Sequence, residues 1–146
     1  MKRLRSFLGL SAAERRLLIR AAFLLEAIGF GMRLLPFQIL RRILGRLAES
    51  PIRLLRADEF SEDEVVRAVE VASRHLPRKK ACLAQALAGQ VLLSRREQPA
   101  LLRIGVARGE GGEFEAHAWL EIGGRVVIGG SELERYVLLR ALEGRA

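Results

Sequence analysis

The stretch that decides the fold is residues 78–130, RKKACLAQALAGQVLLSRREQPALLRIGVARGEGGEFEAHAWLEIGGRVVIGG. It contains the only cysteine of the chain, Cys82, and one of its two histidines, His117. Apolar residues recur at helical spacing around the cysteine, which predicts a helix over about residues 81–94 with Cys82 at its start. From Leu101 the apolar residues alternate with a period of two, which predicts β-strands. We therefore predict an α+β fold in which this helix packs on a small antiparallel sheet that carries the histidine.

Two glycine-rich turns divide the predicted sheet into strands. Residues 109–112 (GEGG) are predicted to join the first strand to the second, and residues 123–124 (GG) have the composition of a two-residue hairpin loop. In the second strand the alternation places the apolar residues on one face and His117 on the other. Counting back along both strands from the hairpin loop places Gly130 opposite His117.

Cys82 and His117 are the candidate catalytic residues. A cysteine at a helix start, just after the basic run at residues 78–80, is well placed to become a thiolate, because unpaired backbone N–H groups and nearby cations stabilise a negative charge. An imidazole on a neighbouring strand can then exchange a proton with the sulfur, as a cysteine nucleophile requires. The backbone N–H of Cys82 is the predicted donor to an oxyanion. The alternatives are a buried, inert cysteine and a half-exposed histidine without a catalytic role.

A third group is expected to orient the imidazole, and the sequence leaves its identity open. Gly129 and Gly130 occupy the predicted positions opposite His117, and neither has a side chain. Glu121 lies four residues along the same strand, roughly 13 Å away. The remaining candidates are a backbone carbonyl, a water molecule, Ser131 and Glu132.

Residues 1–58 are predicted to form a basic, amphipathic helical region that either packs on and supports a catalytic domain of residues 59–146 or serves as a docking surface for a partner protein. The first region holds 12 Lys and Arg against 4 Asp and Glu, whereas the second is balanced at 13 against 13. Residues 11–14 (SAAE) and 61–64 (SEDE) have the capping-box pattern that starts a helix. Pro36 is predicted to end the first helix, and a second basic and apolar helix follows it. A solvated basic face is the alternative explanation of the charge.

The composition limits the expected chemistry to that of side chains. One cysteine and two histidines supply neither a disulfide nor metal ligands at paired spacing, so we expect neither a metal nor a cofactor. Arg20, Glu26 and Arg33 interrupt the apolar N-terminal segment, which argues against a membrane-spanning helix, and association with a membrane surface is a less favoured expectation than packing on the domain. Nucleic acid is not an expected partner, because no aromatic residues accompany the basic ones. His75, at a predicted helix end, is expected to be a surface residue.

Three segments together resemble the transglutaminase-like leader peptidases of lasso-peptide biosynthesis. They are CLAQALA at 82–88, LRIGV at 102–106 and FEAHAWLE at 114–121. The resemblance implies a papain- or transglutaminase-like α+β fold in the bacterial cytoplasm, with Cys82 as nucleophile and His117 as base. It implies a cysteine protease that removes the leader peptide from a ribosomally made precursor.

The resemblance also implies partners and one departure. The implied partners are the precursor peptide, a small leader-recognition protein supplied as a separate chain, and a lactam synthetase that closes the ring afterwards. The family's third catalytic residue is typically an Asp on the strand after the histidine, where this chain has Ile128-Gly129-Gly130. Two other functions fit the same residues, namely acyl transfer or deamidation by the Cys82–His117 pair, and peptide binding without catalysis.

Overall fold

The computed structural model describes residues 8–52, 55, 57–94, 96–139 and 144–145. Within these ranges, helices come first along the chain and an antiparallel sheet follows. The α-helices are α1 (Ala12–Leu34), α2 (Phe37–Glu49), α3 (Glu62–Ala72) and α4 (Arg78–Leu92), and a 3₁₀ turn (Ser73–His75) follows α3. The strands are β1 (Ala100–Arg108), β2 (Phe114–Ile122), β3 (Arg125–Ile128), β4 (Val137–Leu138) and β5 (Gly144–Arg145), and a second 3₁₀ turn (Leu133–Arg135) precedes β4.

Both predicted capping boxes are present, and they fix where α1 and α3 begin. The Ser11 hydroxyl accepts from the Glu14 N–H at 3.1 Å, and the Glu14 carboxylate accepts from the Ser11 N–H at 2.7 Å. Ser61 and Glu64 repeat the arrangement at 3.2 and 2.7 Å. Each box satisfies two backbone donors that a helix start otherwise leaves unpaired. Pro36 ends α1 as predicted, since α1 stops at Leu34 and α2 begins directly after the proline.

The helices and one face of the sheet share one hydrophobic core. The fully buried side chains include Leu25 and Ile28 from α1, Val65 and Val69 from α3, Leu87 and Leu92 from α4, and Leu102, Leu120 and Ile128 from the sheet. The division of the chain at residue 58 stays a prediction, and the helices before that point contribute to this core. Within the described ranges, none of the helices has the length and hydropathy that a transmembrane segment needs.

The sheet has the strand order β3-β2-β1-β4, with β5 also paired to β1. The predicted hairpin loop at residues 123–124 is present, and both of its glycines have positive φ, at 58° and 76°. Such a pair of left-handed residues suits the tight turn between twisted antiparallel strands. The short strand β4 pairs with β1 at Gly105 and Val106.

The predicted register between β2 and β3 is wrong beyond the first pairs. Ile122 pairs with Arg125 as counted, but the pairing then shifts so that Leu120 lies opposite Ile128. The shift inserts Val127 as an extra residue, which is the geometry of a β-bulge. Gly130 therefore does not lie opposite His117, and the segment after Ile128 leaves the ladder.

Candidate active site

Cys82 lies on α4, one turn further into the helix than the sequence predicted. The helix begins at Arg78, and the carbonyl of Pro77 already accepts from the Ala81 N–H at 3.0 Å. Proline is accommodated there because its φ suits a helix entry and its missing N–H has no intrahelical partner to lose. The predicted oxyanion donor is therefore wrong, since in a helix that begins at Arg78 the N–H of Cys82 belongs to the intrahelical ladder. The N–H groups without intrahelical partners are those of residues 78–80.

His117 lies on β2 and pairs across the sheet with Gly105 of β1. Its imidazole is half-buried, and its Nε2 lies 2.7 Å from the carbonyl oxygen of Gly129. A carbonyl only accepts hydrogen bonds, so Nε2 is the nitrogen that carries the proton. Nδ1 is then left as the basic nitrogen of the neutral ring.

The Gly129 carbonyl reaches the imidazole because the backbone turns sharply after β3. Gly129 has φ +79°, and a Cβ added to it would lie 2.8 Å from the carbonyl oxygen of Ala118 and 3.2 Å from the Trp119 Cα. Both the left-handed conformation and the close approach of two backbones require glycine. Gly129 has no side chain that could orient the imidazole, and it supplies its backbone carbonyl as the acceptor for His117 instead.

The carboxylates that were candidates for the third group have other partners. Glu121 accepts from the indole Nε1–H of Trp119 at 3.0 Å and from the Nε–H of Arg103 at 3.1 Å. Glu132 accepts from the guanidinium of Arg135 at 2.9 Å. Glu121 therefore holds the indole of Trp119 in place. Its effect on His117 is indirect, through the stacking of that indole on the imidazole.

Two aromatic rings flank the imidazole on the face of the sheet away from the core. The ring of Tyr136 stacks on His117 with centroids 5.1 Å apart, and that of Trp119 stacks at 6.1 Å. Gly105 provides the space for both, because a Cβ there would lie 2.8 Å from the Cβ of Tyr136 and 3.0 Å from the Trp119 ring. The sequence did not predict a role for Tyr136. Its place beside His117 depends on the pairing of β4 with β1, which the sequence pattern does not reveal.

One cleft is lined by both of the predicted residues. Its volume is about 560 Å³, and it is lined by Cys82, His117, Tyr136 and residues 113–116. Glu113 and Glu115 give one wall a negative charge, part of which faces Arg135 at 3.5 Å. A thiol and an imidazole with a defined basic nitrogen, both open to the same space, are the groups needed for nucleophilic acyl chemistry. Their catalytic role stays a prediction.

His75 is the second histidine, and it lies apart from this cleft. It ends the 3₁₀ turn after α3 and its Nε2 lies 2.6 Å from the carboxylate of Glu26, with about half of its side chain exposed. In the described part of the chain, no three His, Cys, Asp or Glu side chains are grouped as ligands of a metal ion would be.

A cysteine helix packed on an antiparallel sheet that carries a histidine defines the papain-like α+β class. The family model of the transglutaminase-like superfamily matches residues 24–141, and the chain belongs to that superfamily. No curated protein and no solved structure matches the chain. The predicted fold class is confirmed, and membership supports an activity of the cysteine protease or acyltransferase type.

Proposed function

We propose that this protein is a cysteine peptidase that removes the leader peptide from a ribosomally synthesised lasso-peptide precursor. Superfamily membership supports the general chemistry, and the three segments that resemble lasso leader peptidases support the particular substrate. The observation that carries the proposal is the shared cleft of Cys82 and His117, in which the Gly129 carbonyl defines the proton-bearing nitrogen of the imidazole.

The proposed reaction is hydrolysis of one amide bond through a thioester. Nδ1 of His117 takes the proton of the Cys82 thiol, and the sulfur attacks the carbonyl carbon at the end of the leader. The C–N bond breaks as His117 returns that proton to the leaving amine, which becomes the N-terminus of the core peptide. Water then attacks the thioester while Nδ1 accepts its proton, and the leader leaves as a carboxylate with the thiol restored.

The Gly129 carbonyl and the two aromatic rings orient the base in this scheme. The hydrogen bond fixes the tautomer, and the stacked rings of Tyr136 and Trp119 restrict rotation of the imidazole. The carbonyl replaces the orienting Asp that the resemblance implies, as a neutral acceptor in place of a charged one. The cleft volume lies within the range of sites that enclose a small ligand or a few peptide side chains.

The proposed partners are the precursor peptide, a separate leader-recognition protein and the lactam synthetase that acts on the released core. A cytoplasmic location in a bacterium belongs to the same proposal. These assignments depend on the resemblance of residues 82–121 to lasso leader peptidases.

The test is incubation of the full chain with a candidate precursor and its recognition protein, followed by mass spectrometry of the peptide. We expect a leader and a core fragment whose masses sum to the precursor plus one water. Cys82→Ala and His117→Ala are expected to abolish both fragments while precursor binding persists. A peptide joined to an added amine, or an amide converted to an acid, would replace hydrolysis with transfer or deamidation. Binding of the precursor with no chemical change in the wild type would indicate a non-catalytic peptide-binding module.

A further inference from the structure

One edge of strand β2 is without a partner strand beside the candidate active site. β3 pairs with β2 only between Leu120 and Ile122, because the backbone turns away at Gly129. In the part of the chain that the structure describes, residues 114–119 therefore pair with β1 alone. β4 and β5 do not cover this edge, since both pair with the far side of β1.

The hydrogen bond at the β1–β2 turn determines which backbone groups of β2 point toward this edge. Gly109 and Glu113 lie one position beyond the last pair of the ladder, and the Gly109 N–H donates to the Glu113 carbonyl at 2.7 Å. Bonded and non-bonded pairs alternate along an antiparallel ladder. The N–H and C=O groups of Phe114, Ala116 and Ala118 are therefore directed away from β1.

A second hydrogen bond, on the other side of β1, leads to the same assignment. The Leu139 N–H donates to the carbonyl of Ile104 at 2.8 Å, so the polar groups of Ile104 face away from its β2 partner, Ala118. Ala118 in turn directs its carbonyl toward the β3 side, where the Gly129 backbone lies against it. The groups that remain uncovered are the N–H and C=O of Phe114 and Ala116, which we call the open edge of β2.

The open edge belongs to the catalytic cleft. Phe114 and Ala116 are both exposed, and both line the cleft together with Cys82 and His117. Their polar groups are about 7 Å apart, which is the repeat of every second residue in a strand. Residues 114–118 contain neither the proline nor the lysine with which proteins commonly protect an edge strand. An extended peptide has N–H and C=O groups at the matching spacing, whereas those of a helix are already paired.

The proposed reaction indicates which part of the substrate has to be held at this edge. The core peptide leaves in the first step, whereas the leader stays attached to Cys82 as a thioester until water attacks. Contacts with the last residues of the leader therefore act in both steps.

We propose that the last residues of the leader bind as an added β-strand along the open edge of β2. The N–H and C=O of Ala116 and Phe114 pair with the backbone of the leader and place its terminal carbonyl beside Cys82. This inference rests on the proposed function and adds to it the position of the substrate. Because the contacts are made by backbone groups, they hold a peptide with little regard to its side chains.

The test attaches a peptide to Cys82 without the catalytic reaction. The probe is the tetrapeptide chloromethyl ketone acetyl-VTVA, whose methylene carbon the Cys82 thiolate attacks. One C–S bond forms, chloride leaves, and the thiol proton passes to the buffer. The chain has one cysteine, so there is one product. The attached peptide then occupies the position proposed for the end of the leader.

Hydrogen exchange of single amides, followed by NMR, measures the pairing. Before attachment the Ala116 amide is expected to exchange rapidly, whereas the amides of Glu115 and His117 are protected by their bonds to β1. After attachment we expect exchange at Ala116 and Phe114 to slow by at least about tenfold, with no change at Glu115 and His117.

Two control probes distinguish strand pairing from simple crowding by the attached peptide. One has an N-methyl group on its second residue and the other on its third. Successive N–H groups of a strand point to opposite sides, so only one of the two methyl groups removes a donor to the edge. We expect one control probe to lose the protection of Ala116 and the other to retain it.

A pair of proline variants tests the same assignment from the protein side. Ala116→Pro removes an N–H of the open edge and no bond to β1, so it is expected to unfold in urea close to the wild type. Glu115→Pro removes a bond of the ladder and is expected to unfold at lower urea. Alkylation of Cys82 by acetyl-VTVA is expected to slow at least about tenfold in Ala116→Pro, with the rate for iodoacetamide unchanged. If Ala116→Pro does not fold, the exchange measurements on the wild type decide.

Three results would overturn the proposal. They are unchanged exchange at Ala116 after attachment, equal protection by both N-methyl probes, and an amide at Glu115 that exchanges as fast as that of Ala116 before attachment. If the wild type cleaves the precursor and the attached peptide leaves Ala116 unprotected, the strand pairing fails and the peptidase assignment stands. If Ala116 is protected and the precursor is not cleaved, the edge is a peptide-binding site and the peptidase assignment fails.

Discussion

Replacement of Gly129 by alanine tests the link between the backbone turn and the imidazole. The new Cβ would lie 2.8 Å from the Ala118 carbonyl oxygen, so one of the two backbone segments must move. Any such movement displaces the Gly129 carbonyl from the Nε2–H of His117, to which it is bonded at 2.7 Å. We therefore expect Gly129→Ala to lower both stability and activity.

The expected loss of stability has two terms, and the expected loss of activity has a third. The left-handed conformation at φ +79° costs an alanine about 1–2 kcal/mol. The overlap with the neighbouring backbone adds about 1–3 kcal/mol, which is the usual range for overpacking. A hydrogen bond to a charged imidazolium contributes about 1.5–3 kcal/mol, so its loss is expected to reduce kcat/KM by about tenfold to a hundredfold.

Two other glycines separate these terms. Gly112 also has a left-handed φ, at +83°, but an added Cβ meets no atom within 4 Å, so Gly112→Ala carries the conformational term alone. At Gly130 an added Cβ would meet a Val126 methyl at 3.4 Å, in ordinary contact and with no left-handed φ, so Gly130→Ala is expected to be nearly neutral. The order of unfolding free energies in urea is expected to be Gly130→Ala, then Gly112→Ala, then Gly129→Ala as the least stable.

Nitrogen NMR of the imidazole gives the decisive measurement, since it reports which ring nitrogen carries the proton. The wild type and the Gly112→Ala and Gly130→Ala variants are expected to show the Nε2–H tautomer of His117, and Gly129→Ala a mixture of tautomers. If Gly129→Ala keeps the wild-type tautomer and full cleavage activity, the Gly129 carbonyl does not orient the imidazole of His117.

Three further predictions concern ring stacking on His117, the half-buried guanidinium of Arg96 and a helix cap. Tyr136→Leu is expected to lower cleavage activity severalfold, because it removes a ring stacked on the imidazole of His117. Tyr136→Phe keeps the ring and is expected to match the wild type. Equal cleavage activity of the two variants would contradict a role for the stacked ring. Arg96→Ala is expected to lower the free energy of unfolding by about 2–3 kcal/mol, measured in urea, because its guanidinium donates to two carbonyls of the 57–60 turn at 3.2 and 2.6 Å. The hydrogen bond from the Ser11 N–H holds the pKa of the Glu14 carboxyl below its usual value. The stabilisation from this hydrogen bond is therefore present above the unfolded-state pKa and is lost as the pH falls through the folded-state pKa. Glu14→Gln is therefore expected to flatten the dependence of unfolding free energy on pH between about pH 5 and pH 3, and an unchanged slope would contradict the capping interaction.

The parts of the fold that sequence could predict are those set by neighbouring residues. The two capping boxes, the stop at Pro36 and the hairpin loop at residues 123–124 each depend on a few consecutive side chains, and all are present. The change of period from helix to strand after Ser94 likewise sufficed to predict the α+β class. The start of α4 was predicted three residues too late, at residue 81, although Pro77 is compatible with the position before a first helical turn.

The parts that sequence could not predict depend on contacts between distant segments. The bulge at Val127 leaves no trace in the alternation of residues 125–128, and it shifts everything that follows by one position. The stack of Tyr136 on His117 requires β4 to pair with β1, and only the space at Gly105 allows it. A backbone carbonyl was one of the candidates for the third group, but the sequence could not point to Gly129, because its position depends on the bulge and on the turn after β3.

The use of a backbone carbonyl at Gly129 has a chemical consequence. A carboxylate both orients an imidazole and stabilises its protonated form, whereas a carbonyl orients the ring without a net charge. A carboxylate cannot simply be restored by substitution at this position, because any Cβ at Gly129 meets the Ala118 carbonyl oxygen. The orientation of His117 therefore depends on the Gly129 carbonyl together with the flanking rings of Trp119 and Tyr136. The orientation of this proposed base thus depends on how β2 and the segments next to β3 and β4 pack together, in place of one charged partner residue.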